Sequence, residues 1–83
     1  MARPGKVKVN NECDLHGFTR REALAELERE IREMRRRGGG RLRVIHGCGE
    51  VLSEMVYDYA RRTAGVAVTP ERDNPGSCIL DIR

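Results

Sequence analysis

The chain has 83 residues and a net charge of +3, with sixteen Lys and Arg against thirteen Asp and Glu and only one Phe, two Tyr and no Trp. That length supports one domain with an aliphatic core, and no apolar run approaches the ~20 residues a membrane span requires. Cys13, Cys48 and Cys78 are odd in number and lack CxxC spacing, so neither a disulfide framework nor a zinc site is supported.

Residues 1–11 read as an N-terminal lead-in, partly disordered or weakly strand-like where Val7 and Val9 alternate with Lys6 and Lys8. The start has no apolar h-region, so the expected location is cytoplasmic. Residues 12–83 are expected to form the domain. Glu12 to Leu15 suits a strand, with Cys13 and Leu15 on one face and Asp14 on the other. Thr19 with Glu22 three residues on is a capping box, and Phe18 is placed to staple onto Ala23. Leu24, Leu27, Ile31 and Met34 then recur at helical spacing. Arg35 to Arg37 suit the helix C-terminus, and Gly38 ends it.

After a Gly38–Gly40 connector, the short apolar run Leu42 to Ile45 suits a parallel strand buried on both faces. His46-Gly47-Cys48-Gly49 turns the chain into a second helix from about Glu50 to Thr63, with Leu52, Met55, Val56 and Tyr59 on its apolar face. Val66 to Val68 is a short strand, Pro70 to Gly76 a turn-rich loop, and Cys78 to Ile82 a final strand. The order is β-α-β-α-β-β. The fold class is α/β, a two-layer sandwich of a four-stranded mixed sheet and two helices.

A right-handed crossover makes the first two strands parallel, so their carboxyl ends point the same way. Asp14, His16 and His46 should converge at that edge, where open α/β sheets bind ligands. Histidine serves as general acid or base near neutral pH. Gly47 and Gly49 permit close backbone approach, and the N–H groups of the second helix lie just beyond, a generic anion site. One imidazole could activate water, the other protonate a leaving oxygen, and the amides stabilise developing charge. Each residue also has a structural alternative. The histidines can cap the turns, Asp14 can satisfy local N–H groups, and the glycines can serve only positive φ. Glu50 reads as a helix-start residue, or else as a general base or metal ligand. Cys48 as a nucleophile has no supporting partners.

Arg35, Arg36, Arg37, Arg41 and Arg43 fall within nine residues, with no acidic residue between Glu33 and Glu50. With Lys6 and Lys8 they are candidate nucleic-acid contacts; a solvated helix end is the alternative.

Cys13-Asp14-Leu15-His16-Gly17 and His46-Gly47-Cys48-Gly49 resemble the two signatures of the Smr (small MutS-related) domain, LDLHG or LDxHG and HGxG. The resemblance runs over about residues 12–82. Cys13 stands where the family has Leu, and Glu50-Val51-Leu52 follows Gly49 directly, with one fewer glycine than the fuller HGxGxG form. The resemblance implies a β-α-β-α-β-β fold and a nucleic-acid-binding nicking endonuclease of low sequence specificity on double-stranded or branched DNA, acting in recombination suppression or repair. It equally admits an RNA endonuclease or a non-catalytic module docking on DNA, RNA or the ribosome. It implies Asp14, His16, His46, Gly47 and Gly49 as site residues, and a place in a larger MutS-like protein or, alternatively, a free-standing protein. A divalent metal such as Mg is compatible with the carboxylate and imidazoles, though nothing in the sequence requires one. No P-loop is present, so an ATP site would lie in another part of such a protein. No membrane partner is expected.

Overall fold

The computed structural model describes residues 11–83; of the expected lead-in of residues 1–11, Asn11 opens the first strand and the rest, Lys6 and Lys8 included, lies outside the described residues. The order is β1 (Asn11–Asp14), α1 (Arg20–Arg36), β2 (Gly40–Ile45), α2 (Glu50–Arg62), β3 (Val66–Pro70) and β4 (Ser77–Ile82). The sheet runs β1-β2-β4-β3. β1 and β2 are parallel, and β2–β4 and β4–β3 are antiparallel, giving a mixed sheet.

Side-chain parity explains the layering. Cys13, Leu42, Val44, Leu80 and Ile82 point to the helix side and are buried with Leu27, Ile31 and Met34 of α1 and Met55, Val56 and Ala60 of α2. Full burial of a Leu such as Leu27, Leu42 or Leu80 contributes about 1.5–3 kcal/mol, so this aliphatic layer dominates stability. Burial pushes the Cys13 and Cys78 thiols up to about 12, as expected of small hydrophobes.

The expectation that β2 is covered on both faces is not met. Leu42 and Val44 are buried, but Arg41 is exposed, and Arg43 and Ile45 are only partly covered. Both helices pack on one face, so the alternate residues of β2 meet polar neighbours. Glu12 stands opposite Arg43, and Arg41 opposite Asp81, at registered positions. Both are cross-strand ion pairs, at 3.0 and 2.8 Å. β4 is instead the strand buried on both faces at its start, with Ile79 only 4% exposed on the polar side.

The capping box forms as read: the Thr19 hydroxyl accepts from the Glu22 N–H, and the Glu22 carboxylate accepts from the Thr19 N–H. Phe18 remains 40% exposed. α1 closes in a Schellman turn, in which Gly39 N–H donates to Met34 and Gly38 N–H to Arg35. Gly39 is required there: at φ +91, a Cβ would lie 2.3 Å from the Ile82 carbonyl oxygen.

Candidate active site at the strand ends

β1 and β2 end side by side, with Asp14 opposite Ile45 and the Leu15 N–H donating to the Ile45 carbonyl at 2.7 Å. The turns after both strands therefore emerge at one edge. After β1, Asp14 keeps the solvent-side parity, and its Oδ1 accepts from the His16 backbone N–H at 3.1 Å and ring Nδ1 at 2.7 Å. A carboxylate accepts only, so Nδ1 carries a proton, and in the neutral form of the ring Nε2 holds the lone pair. The His16 side chain is 69% exposed. The His16 ring hydrogen bond, reinforced by its backbone N–H, holds the Asp14 carboxyl below the usual carboxylate range.

The second turn lies against the first. Gly47 has φ +81, and a Cβ there would meet His16 Cβ at 3.5 Å. Its N–H and that of His46 both donate to the Gly76 carbonyl, at 2.9 Å each. Gly49 caps α2 in an extended conformation without a side-chain hydrogen bond, leaving the first-turn amides uncovered by any side-chain cap. Glu50 is the first residue of α2 and is exposed, a position that suits the helix dipole.

The two imidazoles do not form an open pair. His46 continues the parity of Leu42 and Val44, so its ring turns under α2 and is 3% exposed. Nδ1 donates to the Gly47 carbonyl at 2.6 Å, Nε2 is buried without a partner, and the ring meets Tyr57 edge-on at 6.2 Å. His46 shapes the turn from inside, while His16 faces solvent. Among the described residues no group of three or more His, Cys, Asp or Glu side chains is arranged to hold a metal ion, and no helix is long and apolar enough to cross a membrane.

The basic run lies elsewhere. α1 starts at the site edge and runs back for 17 residues, which at 1.5 Å per residue puts Arg35 to Arg37 about 25 Å away. Arg35 is tied to the backbone carbonyls of Ala64 and Arg83. Arg36 and Arg37 pair with Glu33 at 2.7 and 3.6 Å, and Arg41 with Asp81. Arg43 is only 12% exposed and is bound to Glu71 and Glu12. Arg20 and Arg21 stand in the first turn of α1, at the end where the β1 turn enters the helix. Arg20 lines a groove of about 600 Å³ with Val51, Tyr57 and Arg61 of α2. Sequence reading passed over Arg20 and Arg21; their place directly after the Thr19 cap was the available signal.

An aspartate-held histidine and a glycine turn feeding a helix N-terminus, set at parallel strand ends of a two-layer sandwich, define a small α/β domain with a solvent-facing polar site. A family model for the Smr domain matches residues 13–79, and the chain belongs to that family, one of nucleic-acid-binding and nuclease domains. In a crystal structure, the Smr domain of Thermus thermophilus MutS2 is similar at 31% identity and a TM-score of 0.79, over 88% of this chain and 98% of that one. A comparison with curated proteins found no match.

Proposed function

We propose that the chain is a nucleic-acid-binding nicking endonuclease of low sequence specificity on double-stranded or branched DNA. The observation that carries this is the Asp14–His16 pair: one carboxylate oxygen receives both the ring and backbone N–H of an exposed histidine. That arrangement fixes the tautomer and leaves Nε2 as a base. Nε2 takes a proton from water as the oxygen attacks phosphorus, and Asp14 stabilises the resulting imidazolium. The first-turn amides of α2, reached across Gly47 and Gly49, face the charge that develops on the phosphoryl oxygens. The P–O bond breaks, and the leaving oxygen takes a proton from solvent.

Contacts to phosphate position without reading sequence, which accounts for low specificity. Arg20 and Arg21 are the near contacts. Arg36, Arg37 and Arg41 can exchange their exposed ion pairs for phosphate at little cost, since such pairs are worth about 0–1 kcal/mol. α1 spans about 24 Å from Arg20 to Arg36 at 1.5 Å per residue, which corresponds to about seven base pairs of duplex. Within a larger MutS-like protein, such an activity would act on recombination or repair intermediates.

The test is nicking of supercoiled plasmid by the purified domain beside folded Asp14→Ala and His16→Ala variants, with a structured RNA in parallel lanes and EDTA added to each. Loss of nicking in both variants supports the reading. Cleavage confined to RNA makes the same site a ribonuclease. Tight binding without cleavage makes the domain a docking module.

A further inference from the structure

A third segment reaches the site edge. β4 begins where β2 ends, with Ser77 opposite Ile45, so the β3–β4 loop over residues 71–76 stands beside the His46–Gly47 turn. Its Gly76 carbonyl is the acceptor for both N–H groups of that turn. The loop is held from within. Glu71 accepts from Arg43 Nε at 2.9 and 3.0 Å and Nη2 at 2.7 Å, and from the Ser77 hydroxyl at 2.5 Å. Glu71 N–H donates to the Ser77 carbonyl, and Asn74 Oδ1 accepts the Gly76 N–H at 3.1 Å. The Arg43 and Glu71 side chains are 12% and 8% exposed.

Arg43 also keeps Glu12 at 3.0 Å, but that carboxylate is exposed, so removing the Glu71 charge strips the buried side of the guanidinium of its carboxylate and favours local rearrangement that hydrates it. The element that would rearrange is the loop carrying Glu71, and with it the carbonyl that fixes Gly47 against His16. We propose that Arg43 and Glu71 form a buried clamp that positions the His46–Gly47 turn beside His16, so that both are positioning residues for the strand-end site. The proposal rests on the hydrolytic reading above and deepens it. It also moves Arg43 from the nucleic-acid contacts expected from sequence to an internal role.

The test measures amide hydrogen exchange by NMR in the folded domain, together with cleavage kinetics, for Glu71→Gln, Ser77→Ala and Arg43→Lys. In Glu71→Gln, the His46 and Gly47 amides should exchange roughly tenfold faster relative to Leu80. A displaced turn should also lower kcat roughly tenfold, with KM and the salt dependence of binding unchanged. Ser77→Ala should shift both readouts in the same direction by less, and it decides the matter if Glu71→Gln fails to fold. Arg43→Lys keeps the charge but loses the bidentate geometry and should resemble Glu71→Gln. Unchanged His46 and Gly47 exchange in the folded variants would overturn the clamp. So would an Arg43→Gln variant whose binding weakens with a salt slope lower by about one and kcat intact, the signature of a phosphate contact. A wild-type domain that cleaves nothing would count against the hydrolytic reading, while the exchange data would still decide the clamp.

Discussion

Replacing Gly47 with alanine separates backbone strain from crowding. Gly47 sits at φ +81, where an L-residue costs about 1–2 kcal/mol. The new Cβ meets only His16 Cβ, at 3.5 Å, an ordinary contact that adds no clash. Alanine also stiffens the unfolded chain, which returns about 0.4–1 kcal/mol. The net loss is therefore about 1 kcal/mol, or roughly 4–8 °C in Tm for a domain of this size. Gly49→Ser is the control. Gly49 is extended, at φ −74 and ψ 151, and has nothing within 4 Å. Serine fits there and can cap the Leu52 N–H, so stability should hold or rise by a few tenths of a kcal/mol. Both variants should nick more slowly, because one puts a methyl beside His16 and the other covers the amides proposed to face phosphate. Thermal melts and plasmid nicking on the same samples provide the assay. An unchanged Tm in Gly47→Ala would refute the left-handed turn, and full activity in Gly49→Ser would refute use of the α2 amides.

Asp14 should titrate below its ordinary value of 3.8 in carbon-detected NMR, and His16→Ala should return it toward that value. Its folded pKa is depressed, so the pair's contribution is present above the unfolded pKa and lost as pH falls through the folded one. Thiol titration at pH 8 should label Cys48 alone in the native protein, because Cys13 and Cys78 are buried with thiols pushed up to about 12; all three should react after unfolding. Arg20→Gln and Arg21→Gln should each lower the salt slope of DNA binding by about one. A larger change in Arg36→Gln would place the main contact at the far end of α1 instead.

Local signals carried most of the fold. The capping box, the Leu27–Ile31–Met34 stripe and the glycines after Arg37 act through neighbours three or four residues apart, and all appear where read. Right-handed crossover made β1 and β2 parallel, which brought Asp14, His16 and Gly47 to one edge. What sequence could not reveal depends on side-chain direction and distant partners. His46 continues the inward parity of β2, but its tetrapeptide context reads equally well as a turn facing solvent. Arg43 looked like a member of a basic run because its partners, Glu12 and Glu71, lie 31 and 28 residues away. Clustering along the chain likewise concealed that α1 carries Arg35 to Arg37 to the edge opposite His16.

The proposed roles of the two histidines differ, and single-turnover cleavage by His16→Ala and His46→Gln, each with a thermal melt, tests them directly. His16→Ala should melt like the wild type and lose cleavage by at least about a hundredfold, the scale of a general base. His46→Gln should lower Tm, and at temperatures where it is folded it should retain more cleavage than His16→Ala. Undiminished cleavage by folded His16→Ala would contradict the account, as would a stable His46→Gln with no cleavage at all.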